Sequence, residues 1–202
     1  MRFAILISFA VCGVAISMAR ADGPLIRVFL GSQSGYIVPE SYAREHRADL
    51  VASIAGPVKI EGFWTPPEQD VAVADRAFRD LIHAGVKDPA LLFPDLAPRT
   101  NPNARVSADE AEALEQERKE LALVSENYNN YSRQYVGIII EGQKIVFCNY
   151  SEGTKVDPAV DYIFIHKVFA PGAVHFLQCR FEPLSKICSK MSFIGSWKTP
   201  EK

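Results

Sequence analysis

Histidine and cysteine gather in the C-terminal third of this 202-residue chain, at Cys148, His166, His175, Cys179 and Cys188. Imidazole and thiolate are the ligands zinc prefers. On one expected strand, however, His175 and Cys179 stand about 13 Å apart at the strand rise per residue, too far to share one ion whose ligands lie within about 2.3 Å. Neither Cys-x-x-Cys nor His-Glu-x-x-His spacing occurs, so no metal and no other cofactor is expected. Cys148 is the thiol with the most suggestive neighbours, because the strand pairing derived below sets Arg133 and Tyr135 beside it and a nearby cation activates a thiol. A buried structural thiol is nevertheless the preferred reading. The string Gly31-Ser32-Gln33-Ser34-Gly35 is neither a nucleophile elbow, where serine stands third between its glycines, nor a phosphate loop, which ends Gly-Lys-Ser/Thr. Among carboxylates, Asp161 and Glu61 lie near expected strand ends. They, or a histidine, are the acid–base residues of an alternative reading, a small secreted hydrolase. No residue is assigned as catalytic.

The elements that would position these groups follow from periodicity. Leu25–Leu30 reads as a short strand, Gly31–Gly35 as a flexible turn, Tyr42–Ile54 as a helix stopped by Gly56-Pro57, and Val58–Phe63 as a strand. Thr65-Pro66-Pro67-Glu68 has the form of a capping box. Beyond it Val71, Ala74, Phe78, Leu81 and Ile82 make an apolar stripe at helical spacing, with Gly85 as its C-terminal glycine. A second helix follows Ser107-Ala108-Asp109-Glu110, with Ala111, Leu114, Leu121 and Val124 inward and Glu115–Lys119 as an i,i+4 pair. Four prolines (Pro89, Pro94, Pro98, Pro102) make the intervening segment an irregular surface loop. After Tyr131 the pattern turns to strand: Ser132–Ile140, Gln143–Tyr150, Tyr162–Val168, Ala173–Phe181 and Ile187–Ser196. Helices followed by strands point to an α+β fold, an antiparallel sheet of about five strands with helices mainly on one face.

Glu141-Gly142 suits a two-residue hairpin turn, and counting outward fixes the register. Ile140/Gln143, Ile138/Ile145, Val136/Phe147 and Gln134/Asn149 share one side, expected to be the core face. Ile139/Lys144, Gly137/Val146, Tyr135/Cys148 and Arg133/Tyr150 share the other, where arginine can stack on tyrosine. Gln134 and Asn149 read either as a self-satisfied amide pair at the rim of the core or as a polar clamp at a pocket mouth with Tyr128, Tyr131 and Tyr135. The binding candidates are therefore Tyr128, Tyr131, Arg133, Gln134, Tyr135 and Asn149. The string Arg133-Gln134-Tyr135-Val136-Gly137, the isoleucines Ile138–Ile140, the glycine turn, Ile145-x-x-x-Asn149 and Trp64-Thr65-Pro66 together resemble a group of uncharacterised secreted bacterial proteins. Where that group has Asp-Gly-Gly, Ala170-Pro171-Gly172 stands here. The resemblance implies the fold and export, and brings no activity with it.

At the N-terminus a basic start, a sixteen-residue apolar run (Phe3–Met18) and Ala19-Arg20-Ala21 have the three parts of a signal peptide. The run is short of the roughly 20 residues a membrane-spanning helix needs. Residues 1–21 are therefore expected to be removed, leaving residues 22–202 as one secreted or periplasmic domain. Cleavage removes Arg2 and Arg20 and no acid, so the net charge moves from −2 to −4. A mildly acidic chain without a basic tract is a poor partner for nucleic acid or an anionic membrane. Three cysteines remain after cleavage, enough for one disulfide and one spare thiol. Cys179–Cys188 is favoured narrowly over a bridge from Cys148. The composition points first to a non-enzymatic module that binds a protein or an envelope component.

Overall fold

A computed structural model describes residues 25–54, 59–92, 108–152 and 176–194. The expected signal peptide, most of the proline-rich loop, the strand Tyr162–Val168, Ser107, Asp161, His166 and His175 lie outside these residues.

Alternation of β-branched and aromatic residues with polar ones produces hairpins. Strands β1 (Ile26–Leu30) and β2 (Gln33–Val38) pair antiparallel, from Ile26 opposite Ile37 to Leu30 opposite Gln33. Gly31 closes the turn with φ 70°, the positive value that a two-residue hairpin turn requires at its first position. The expected flexible turn therefore shrinks to Gly31-Ser32, and Gln33–Gly35 are strand. Strands β4 (Tyr131–Ile140) and β5 (Gln143–Glu152) pair in the register counted from the sequence, with Glu141 at φ 52° and Gly142 at φ 72°. Strands β6 (Phe176–Glu182) and β7 (Ile187–Ile194) form a third hairpin, whose register slips between Gln178 and Arg180.

The sheet runs β1-β2-β4-β5-β6-β7, and β3 (Gly62–Trp64) also pairs with β4. It is mostly antiparallel; β2 lies parallel to β4 at residues 134–136, and β3 continues along β4 at residues 137–139. Seven strands replace the five expected.

Four α-helices are described: α1 (Glu40–Glu45), α2 (Arg47–Ser53), α3 (Glu68–Lys87) and α4 (Ala108–Asn127). The single helix expected over 42–54 is thus two, broken at His46 (φ −101°, ψ 27°). Thr65 does not cap α3, which begins after Pro67; its hydroxyl instead accepts the Glu40 N–H at 2.9 Å, tying the start of α1 to the chain leaving β3. Gly85 does not end α3. The helix continues to Lys87, and a Cβ at Gly85 would collide with Leu92 and stand 3.2 Å from Leu121. Glycine is there for close packing on α4. Glu115 pairs with Arg118 at 2.7 Å, and Ala111 is exposed.

Helices lie on both faces of the sheet, the two long ones (α3, α4) on one and the two short ones (α1, α2) on the other. Val136, Ile138 and Phe147 pack with Tyr42, Ala43, Leu50 and Ile54 of α1, α2 and the chain after them, as the expected core face does. The side read as outer is the larger core: Tyr135, Val146, Cys148, Tyr150, Leu177, Cys179 and Phe181 meet Val71, Ala74, Phe78, Ile82, Leu121 and Val124. Both sides of β4 and β5 are apolar because both are covered, a pattern typical of central strands. Gly137 belongs to this construction. A Cβ there would strike the Trp64 carbonyl and lie 2.8 Å from the indole ring, whose N–H donates to the Ile138 and Ile145 carbonyls at 3.2 and 3.3 Å.

Candidate functional site

Asp75 interrupts the apolar stripe of α3, four residues after Val71 and three before Phe78. Its position puts a carboxylate against the sheet, where Arg133 points inward from β4. The Arg133 side chain is 1% exposed and that of Asp75 11%. Nε of Arg133 donates to Asp75 Oδ1 at 3.0 Å, and the hydroxyls of Tyr135, Tyr128 and Tyr150 donate to that same oxygen at 2.9, 3.1 and 3.2 Å. The other guanidinium nitrogens donate to the Tyr131 and Tyr128 carbonyls at 2.8 and 2.9 Å. The guanidinium also sits 5.0 Å from the Tyr128 ring centre and 5.9 Å from that of Tyr150. The arginine–tyrosine stack expected on this side is therefore present and buried.

The cluster ties α3 to β4 and β5. Burial, reinforced by the Asp75 charge, raises the Tyr128 and Tyr135 hydroxyls well above the ordinary phenol range; burial does the same at Tyr150, with the neighbouring tyrosines adding to it. The four donors converge on Oδ1 of Asp75. The consequence is local order: Arg133 fixes the carbonyls of the 3-10 turn Tyr128–Asn130 and the first residue of β4.

Outside that turn lies an open cleft of about 290 Å³. Gln33 and Ser34 of β2, Asn129 and Asn130 of the turn, and Ser132 of β4 give it hydrogen-bonding walls, with Tyr36 alongside. Tyr131 and Arg133 reach it from the core side. Each Arg133 nitrogen donates to an inward partner and its charge is paired with Asp75, and the cleft's other polar side chains are uncharged amides and hydroxyls. Amides and hydroxyls each donate and accept.

The six binding candidates from the sequence do not meet in one pocket. Tyr128, Tyr131, Arg133 and Tyr135 belong to the face under α3 and α4, whereas Gln134 and Asn149 point to the opposite face. There Asn149 donates to Gln134 Oε1 at 3.4 Å, and Gln178 donates to Asn149 Oδ1 at 3.1 Å, an amide ladder across β4, β5 and β6. All three residues are buried. The amide pair is thus satisfied within the sheet, as interior amides must be, and extended by one member. Of the six candidates, Tyr131 and Arg133 line the cleft.

Other chemistry finds little footing. Glu61 accepts the Gly142 N–H at 2.9 Å and so braces the β4–β5 turn. Cys148 is fully buried and burial raises its thiol pKa, the opposite of an activated nucleophile. Among the described residues no group of three His, Cys, Asp or Glu side chains is arranged to hold a metal, and no helix is long and apolar enough to cross a membrane. Cys148, Cys179 and Cys188 are unbridged; Cys179 and Cys188 Sγ stand 3.9 Å apart.

Asp75 and Gln178 are functional-looking groups that spacing alone did not single out. The signal for Asp75 was a charge inside an apolar helical stripe; that for Gln178 was an amide two strands from another in register. No family model, curated protein or solved structure matches this chain.

Proposed function

We propose that this chain is an exported, non-enzymatic binding module whose cleft at the β2–β4 junction holds a neutral, hydroxyl-rich segment of an envelope glycan. One observation carries the reading: the cleft walls are uncharged donor–acceptor groups, set on a turn that a buried ion pair holds rigid. Sugar hydroxyls also both donate and accept, so amide and hydroxyl walls match them, and a tyrosine beside them offers an apolar face. A turn held in place before binding lowers the ordering cost of association. The mature net charge of −4 also disfavours polyanionic partners. Of the carboxylates in the acid–base alternative, Asp161 lies outside the described residues and Glu61 is engaged by the hairpin turn.

The test is a protein-observed NMR titration with neutral oligosaccharides of glucose and of N-acetylglucosamine. Saturable shifts of the Gln33, Asn129 and Asn130 side-chain amides, lost in the Asn129→Ala/Asn130→Ala double variant, are the expected result. Saturable shifts that map elsewhere, or none at millimolar sugar, would overturn it.

A further inference from the structure

Three thiols sit side by side on the α3/α4 face of the sheet, one on each of β5, β6 and β7. Cys148 is the direct register partner of Cys179. Cys188 is opposite Phe181, one step removed from Cys179 in the pairing. In a regular ladder that diagonal placement would keep the sulfurs well apart. The register slip between Gln178 and Arg180 falls on Cys179 and brings its Sγ to 3.9 Å from that of Cys188. A disulfide needs about 2.05 Å between sulfurs, so the remaining gap is within reach of a side-chain rotation. Cys148 Sγ lies 3.7 Å from the Val146 carbonyl of its own strand and also interacts with the Cys179 thiol, while Cys179 Sγ is 3.9 Å from that of Cys188. Exposure differs: Cys148 and Cys179 are fully buried and Cys188 is half-buried.

We propose that Cys179 and Cys188 are an oxidation site, bridged by exchange with an external disulfide that enters at Cys188, while Cys148 stays a thiol. The Cys188 thiolate attacks one sulfur of a small-molecule or oxidoreductase disulfide, forming a mixed disulfide and releasing one thiolate. Cys179 then loses its proton to solvent and attacks Cys188 Sγ, forming the internal bond and expelling the second thiolate. The two cysteines lose two protons and two electrons; the external disulfide gains the electrons and leaves as two thiols. Burial raises the Cys179 thiol pKa, so the second step is the slow one. The odd cysteine count is thereby resolved with the spare thiol in the core, away from chance oxidants. This inference stands apart from the binding proposal, since neither cysteine lines the cleft.

The experiment incubates the folded, reduced chain with oxidised glutathione, quenches with acid, and follows intact mass and peptide maps over time. A glutathione adduct on Cys188 appears first and gives way to a chain two hydrogens lighter, with the Cys179 and Cys188 peptides linked. Cys148→Ala leaves this course unchanged, and Cys179→Ser halts it at the Cys188 adduct. A stable adduct on Cys188 in the unmutated chain, or a bridge that maps to Cys148, overturns the proposal without recourse to any variant.

Discussion

Asp75→Ala removes the one acceptor shared by Arg133, Tyr128, Tyr135 and Tyr150. The guanidinium stays behind, 1% exposed, with its Nε facing a void. Breaking a buried pair by deleting one partner costs about 3–5 kcal/mol, because the surviving charge is left unpaired away from water. Domains of this size are stable by about 5–15 kcal/mol in total, so the variant loses a large share of its margin. At roughly 2–4 °C per kcal/mol for a chain of this length, the melting point falls by roughly 6–20 °C. Tyr135→Phe removes only one of four donors to the oxygen and costs about 1 kcal/mol.

The origin of the effect can be isolated. Asp75→Leu combined with Arg133→Met removes both charges and the penalty of an unpaired guanidinium, leaving only the cost of three tyrosine hydroxyls without this acceptor. Urea unfolding of the two single variants and the double variant closes a mutant cycle. A coupling energy above about 2 kcal/mol is expected, well outside the additivity error of independent sites. If Asp75→Ala costs under about 1 kcal/mol, or the double variant loses the sum of the singles, the pair is not the keystone described here.

The remaining predictions concern the same core. Tyr128, Tyr135 and Tyr150 keep their protons in the fold at pH values where the unfolded chain has released them. Their folded pKa values are raised, so stability is full below about pH 10 and falls above it, by about 4 kcal/mol per pH unit for three such protons. The tyrosinate absorbance of these three should therefore appear together with loss of near-ultraviolet circular dichroism; smooth titration of all seven tyrosines with the fold intact would contradict this. Gly137→Ala places a methyl against the Trp64 carbonyl and indole. It should cost about 1–3 kcal/mol as overpacking does and change Trp64 fluorescence; an unchanged urea midpoint would refute the contact.

Local pattern made the β4–β5 hairpin legible: a two-residue glycine turn and ten alternating positions leave one register that keeps both faces consistent. It made α3 legible too, because its stripe recurs at helical spacing. The hidden features are non-local or compete with a stronger local cue. Asp75 finds its partner 58 residues away, and a lone acid in a helical stripe looks like a solvated edge until the facing strand is placed. Thr65 looked like a cap because its sequence fits one, yet two prolines hold the chain extended past it and α3 starts at Glu68. Which face of the hairpin is the larger core was undecidable from alternation, since helices cover both. The slip at Cys179 was likewise invisible, and it alone brings two diagonal sulfurs close.

The segment Arg133–Gly137 is nearly used up by the interior. Arg133 and Tyr135 hold Asp75, Gln134 joins the amide ladder, Val136 packs under α1 and α2, and Gly137 makes room for Trp64. The paired positions Cys148, Asn149 and Tyr150 on β5 are just as fully engaged. A motif whose side chains are this fully engaged specifies the architecture, and of its five residues only Arg133 reaches the cleft. Its order reaches the surface at one place, where two Arg133 nitrogens hold the carbonyls of Tyr128 and Tyr131. Between those anchors Asn129 and Asn130 are exposed. Recognition is therefore best sought in the residues that flank the motif, because there exposed amides meet the most rigid part of the fold.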